Sequence, residues 1–141
     1  FSLAAAVLHR DLQVPAPAWV REGVCACLEA AGRTGKGADT RHPALAPILM
    51  RNLHAQSETT LDQLTAVSPR EFYGDDGPRW RAMAWGYVHL MRFGRGPLPT
   101  LFKRWRRELE RATGRVPPFP TDKVKSDVEE LRKHARRRWE G

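Results

Sequence analysis

The chain has 141 residues, of which 41% are hydrophobic and 28% charged, values that suit one globular domain and exclude a disordered, collagen-like or fibrous segment. No run approaches the roughly 18 apolar residues of a membrane-spanning helix, and five Trp with five Phe offer core anchors enough to fold without disulfides or metal. The formal net charge is +8, and +6 of it falls between Leu101 and Gly141, where 13 Lys or Arg stand against 7 Asp or Glu.

Ser2 to Asp11 is predicted as a helix, an Ala-rich run capped by Ser2. Its opening, FSLAAAVLHR, lacks the basic start of a signal peptide and continues straight into helical sequence. Pro15 and Pro17 interrupt it. A second helix is predicted from Pro17 to Ala31, closed by Gly32, with Trp19, Val20, Gly23, Val24, Cys27 and Leu28 as its apolar stripe. Residues 32–43, GRTGKGADTRHP, read as a mobile polar loop. Their Gly-Lys-Gly has neither the spacing nor the preceding strand of a phosphate-binding loop.

A third helix is expected over Ala44–Gln56 and a short element over Thr60–Val67. Ser68 and Glu71 form a capping box that opens a turn carrying Phe72 and Tyr73. Pro78–Phe93 has the clearest period, with Trp80, Met83, Ala84, Tyr87, Val88 and Met91 on one stripe. Pro99–Thr113 places Leu101, Phe102, Trp105 and Leu109 inside and Lys103, Arg104, Arg106, Arg107 and Arg111 outside. The last helix starts at Thr121 or Ser126 and runs to Trp139, with Ser126 and Glu129 as a further capping box. No run alternates with period two over strand length. The expectation is therefore an all-α single domain, residues 1–141, of six or seven helices in an irregular bundle.

Cys25 and Cys27 are two apart, roughly 200° around a helix, so they do not pair easily. They read as reduced and partly buried, compatible with a cytoplasmic setting. A lone His is more often surface or hydrogen-bonded than a metal ligand: His42 and His54 fall in or near the loop and third helix, and His89 reads as a boundary residue beside an apolar stripe. The basic residues Lys103, Arg104, Arg106, Arg107, Arg111, Arg136, Arg137 and Arg138 are candidate anion-binding positions. Interleaved with Trp105 and Trp139, they also fit a nucleic-acid surface, a lesser alternative to a plain solvated helix face.

The segment PAPAWVREGVCACLE, Pro15 to Glu29, resembles the Pro-x-Trp-Leu-x-Glu-Gly-Leu-Ala motif of gluzincin-like zinc metallopeptidases, with Trp19, Glu22 and Gly23 at matching positions. RWRAMAWGYVHLMRFG, Arg79 to Gly94, is similar to the helix that backs the site in those families, and FPTDKVKSDVEELRKHARRRW to their closing segment. The resemblance implies the helical half of a gluzincin, with Glu22 as third zinc ligand and a His-Glu-x-x-His motif on the preceding helix. Those motif positions hold Ser2, Leu3, Ala4, Ala5 and Ala6. Neither Ser2 nor Ala6 can ligate as histidine does, Leu3 cannot activate water, and Glu22 alone, or with His9, offers a zinc ion too few donors. The bland alternative for Glu22 is an ion pair with an arginine such as Arg81.

The expected function is thus a non-catalytic metallopeptidase-like domain, kept as a binding or structural module without cofactor. Its first two helices, lacking the family's sheet, should dock on a partner protein or an N-terminal segment through an uncovered apolar face. The alternatives are an active zinc peptidase whose motif lies before Phe1, and a basic nucleic-acid-binding adaptor.

Overall fold

The structure, a computed structural model, describes residues 8, 10, 16–55, 60–124 and 126–139. Among these, all regular structure is helical: α1 (Ala18–Thr34), α2 (Leu45–His54), α3 (Leu61–Thr65), α4 (Gly77–Phe93), α5 (Pro97–Arg111) and α6 (Asp127–Trp139), with 3-10 turns at Glu71–Tyr73 and Thr121–Lys123. Of the helix predicted over Ser2–Asp11, only Leu8, helical and buried, and Arg10, helical and exposed, are described; Ser2, Leu3, Ala6 and His9 lie outside the described residues.

The fold is organised around α4, on which α1, α2, α3, α5 and α6 all pack. The one-sided stripe read from the sequence understates this helix. Ala82 to Met91 are buried without a break, Trp85, Gly86 and His89 included, because neighbours surround it and leave it no solvent face. The closest crossing is with α1 at Gly23. A Cβ there would stand 2.4 Å from Val88 Cγ2 and 2.6 Å from the Ala84 carbonyl oxygen, so only glycine lets the two backbones meet. α5 is the opposite case, with Leu98, Phe102, Trp105 and Leu109 buried along one side and an exposed basic side opposite.

Polar staples fix the ends. Asp127 Oδ2, at the start of α6, accepts the Leu61 N–H at 2.6 Å and the Tyr87 hydroxyl at 3.0 Å, joining α3, α4 and α6. Arg132 Nε donates to the Leu53 carbonyl at the end of α2, where helix carbonyls lack intrahelical partners. The Ser68–Glu71 capping box forms as expected, both bonds present. Thr60 and Gln63 form another at the start of α3. Glu129 is held by Arg132 and Arg136.

α1 does not stop at Gly32. It continues to Thr34 and ends at Gly35, which is left-handed at φ 70° and returns its N–H to the Ala31 carbonyl, a glycine-closed C-terminus. Thr34 Oγ1 bonded to the Ala30 carbonyl and an Arg33–Glu29 ion pair support the last turn. No atom lies within 4 Å of a Cβ added at Gly32. Gly32→Ala is therefore expected to stabilise the fold by about 0.5–1 kcal/mol, read as a rise in the urea midpoint; a fall would mean that α1 is not continuous there.

The loop after α1 is anchored at points to the core: Ala38 and His42 are buried, and the Asp39 carbonyl accepts a bond from His89. Of the two helices expected to present an uncovered apolar face, the second, α1, has Trp19, Val20, Val24 and Cys27 buried within the chain with α4 against it, while the first lies largely outside the described residues. Tyr73 is the exposed large hydrophobic residue among those described. Cys25 is exposed and Cys27 buried, both as free thiols. No described helix is long and apolar enough to cross a membrane.

Candidate functional site

The motif residues of α1 are occupied with packing. Trp19 stacks on Trp105 at 5.9 Å between ring centroids and meets Phe119 edge-on, knitting α1 to α5 and the segment after it. Gly23 makes the crossing with α4. Glu22 accepts the Tyr73 hydroxyl at 2.5 Å, and this bond holds the Tyr73 hydroxyl above its ordinary pKa. The predicted arginine partner is elsewhere: Arg81 donates to the Phe72 carbonyl at 2.6 Å. Among the described residues no three His, Cys, Asp or Glu side chains converge, and the Glu22 carboxylate faces a phenol. The described residues therefore do not fit a zinc ion.

The concentrated chemistry lies instead where α4 meets α6. His89, expected at a boundary, is fully buried, and His134 of α6 is 1% exposed. His89 Nδ1 lies 2.8 Å from His134 Nε2, and His89 Nε2 lies 2.6 Å from the Asp39 carbonyl oxygen. Trp139 stacks on Trp85 at 4.6 Å and contacts both imidazoles edge-on, with Phe93 against His89. Burial in this aromatic setting lowers the His89 pKa to about 4. Burial first, then His89, Arg138 and Arg137, lowers that of His134 to about 3. Both rings are neutral at physiological pH.

The far side of His134 opens on a cleft of about 370 Å³ lined by Phe93, Gly94, Arg95, His134, Arg137 and Arg138. Helical spacing explains the α6 contribution, because residues three and four beyond His134 share its face. Arg138 also donates to the Phe93 carbonyl at 3.1 Å, closing the exposed end of α4. Among the described residues no carboxylate lines the cleft. Arg95 and Arg137 are exposed. Three guanidinium groups around one concavity raise the local concentration of anions and give fork-shaped donors for their oxygens. Gly94 makes room for the ring beneath: a Cβ there would be 3.0 Å from His134 Nδ1 and 2.5 Å from the Leu90 carbonyl oxygen.

The other predicted basic positions do not join this cluster. Arg136 lines a separate cleft with Leu53, His54, Arg132 and Ala135. On α5, Lys103, Arg104, Arg107 and Arg111 are exposed and Arg106 pairs with Glu110. Arg104 and Lys123 edge a larger, more apolar cleft beside Leu98, Leu101 and Val124. Trp105 is buried with its Nε1 bonded to the Pro117 carbonyl, so neither it nor the stacked Trp139 offers a free ring to a base. Arg95 and His134 were missed in the sequence. His134 sits three and four residues before Arg137 and Arg138, a spacing that could have drawn attention to it; nothing local marks Arg95.

His42, expected to be a surface or hydrogen-bonded residue in or near the loop, is buried and hydrogen-bonded. Its Nδ1 accepts the Ala44 and Leu45 N–H groups at 3.1 and 3.0 Å, and its Nε2 donates to Glu29 at 3.0 Å. It ties the start of α2 to α1, and desolvation lowers its pKa.

In comparisons with protein-family models, curated proteins and solved structures, no match to this chain was found.

Proposed function

We propose that this chain is a non-catalytic binding module that holds an acidic protein partner on its basic C-terminal helices, centred on the cleft of Arg95, Arg137 and Arg138. The observation that carries it is the meeting of these three arginines, from two separate parts of the chain, on a concavity that no carboxylate of a described residue lines. A plain solvated helix face spreads its charges; here cations that repel one another are gathered, an arrangement stabilised by an anion. The exposed basic side of α5 adds long-range attraction.

A nucleic-acid partner is less well served, because Trp105 and Trp139 are engaged in core stacking and Phe93, the aromatic residue in the cleft, packs edge-on against His89. The resemblance to zinc peptidases rests on Trp19, Glu22 and Gly23, and packing or hydrogen bonding explains each of them, so the binding role does not depend on it.

The test is the affinity of a fluorescent glutamate-rich 20-residue peptide at 50 and 300 mM salt, with oligo-dT as comparison. Tighter binding of the peptide is expected, weakening by about tenfold or more with salt, and further reduced when Arg95, Arg137 and Arg138 are replaced by Gln. Absence of peptide binding at low salt, or a stronger preference for oligo-dT, would overturn the proposal.

A further inference from the structure

We propose that the cleft over His134 is a subsite for a phosphate group, gripped by Arg95, Arg137 and Arg138 and hydrogen-bonded through one protonated oxygen to His134 Nδ1. This rests on the anion-binding role proposed above and gives it a chemical class.

The proton positions follow from the loop side of the histidine pair. The Asp39 carbonyl oxygen has only lone pairs to offer, so His89 Nε2, 2.6 Å away, carries the hydrogen. His89 Nδ1 of the neutral ring is then an acceptor, and His134 Nε2, 2.8 Å from it, donates. That leaves the lone pair of His134 on Nδ1, at the base of the cleft beside Gly94. No hydrogen bond joins Nδ1 to a described residue. The ring is 1% exposed and fixed by His89 and Trp139, so it cannot easily turn to present a donor instead.

A lone pair beneath three guanidinium groups discriminates between anions. A fully deprotonated anion, a glutamate carboxylate included, is held by the arginines alone and meets repulsion at the nitrogen itself, whereas one that keeps a proton satisfies both the arginines and the nitrogen. Phosphate monoesters, with a second pKa of about 6, keep such a proton on about half the molecules at pH 6 and on a smaller share at pH 7; sulfate and carboxylates keep none. Whether the proton rests on the phosphate oxygen or moves to Nδ1, the complex has the same composition: one proton between the two atoms. Above that pKa, binding must take a proton from solution, so affinity falls as the pH rises from 6 to 8. Among the described residues, the groups facing His134 are His89 from α4, Arg137 and Arg138 from α6 and Arg95 from the turn between α4 and α5. Asp39 lies behind His89, and Glu130, one turn earlier on α6, stands against Gly96. The arginines keep their charge throughout this range. The phosphate could be free in solution or borne by a side chain of the partner, and the chemistry at the cleft is the same.

The experiment is calorimetric titration of the full chain, at pH 6 and pH 8, with inorganic phosphate, a glutamate-flanked phosphoserine peptide, its unphosphorylated counterpart and sulfate. Phosphate probes are expected to bind at least about tenfold tighter than sulfate at pH 6 and to weaken toward pH 8. Arg95→Gln and Arg137→Gln, at exposed positions where folding is not at risk, should each weaken phosphate several-fold. His134→Phe should erase the preference over sulfate; if that variant does not fold, the phosphate-to-sulfate ratio of the native chain still decides. A phosphopeptide tighter than inorganic phosphate places the group on a partner protein; equal affinities point to free phosphate. Equal binding of sulfate and phosphate would overturn the proposal. Peptide binding without any gain from phosphorylation and without phosphate binding would overturn it while leaving the acidic-partner reading intact. Failure of every probe would remove both.

Discussion

Gly23→Ala should lower the melting temperature by about 10 °C. The added carbon would stand 2.6 Å from the Ala84 carbonyl oxygen and 2.4 Å from Val88 Cγ2. Val88 is buried in the crowded middle of α4, and a backbone oxygen cannot rotate away, so α1 and α4 must separate. Overpacking of this kind costs about 3 kcal/mol, and each kcal/mol shifts the midpoint by roughly 3–4 °C at this chain length. Differential scanning calorimetry of Gly23→Ala beside Gly32→Ala is the direct check, since both lie in α1 and share any effect on helix propensity. Equal behaviour of the two variants would show that the α1–α4 crossing is looser than described.

Mild acid should be nearly as damaging. His89 and His134 have folded pKa values of about 4 and about 3, against roughly 6.5 in an unfolded chain. The sign follows from proton counting. Between pH 6.5 and 4 the unfolded chain binds protons on both residues and the native state does not, so stability rises with pH there. Their contribution is complete above pH 6.5 and is lost as the pH falls toward 4 and 3. The loss approaches about 1.4 kcal/mol per pH unit for each histidine, or roughly 3 kcal/mol in all between pH 7 and 5. His42, also lowered by desolvation, adds to the same trend. Glu130, raised by burial, works the other way as the pH falls. Urea unfolding across this range should show the slope, and replacing the pair together, His89→Phe with His134→Leu, should flatten it. A stability independent of pH from 7 to 5 would mean that the two imidazoles are not held neutral.

The pair of alanine substitutions and the acid experiment probe features of different legibility. Gly23 stood out in the sequence as part of a Trp-x-x-Glu-Gly spacing, but the spacing suggested a metal-site helix, while packing explains it: Trp19 fills an aromatic cluster and Gly23 admits α4. Glu22 showed the same ambiguity. An arginine partner was the natural expectation for a carboxylate on an apolar helix, yet the turn at Glu71–Tyr73 places a phenol 51 residues away within 2.5 Å. His89 was misjudged because a helix read alone seems to have an inside and an outside. With neighbours on every side of α4, its polar position became interior, and a second histidine supplied the missing partner.

What the chain determined by itself was local. Its glycines and prolines punctuate the helices, the 3.6-residue period marks the apolar side of α5, Ser68 and Glu71 cap a turn, and the basic excess accumulates after Leu101. These are readable because they depend on residues within a few positions of one another. Tertiary structure alone decided that the Asp39 carbonyl, His89 and His134 form one hydrogen-bonded line, and that Arg95 faces the same cleft as Arg137 and Arg138. These groups are separated by about 40 residues or more of chain, and only the packing of α6 and the loop against α4 brings them to bonding distance.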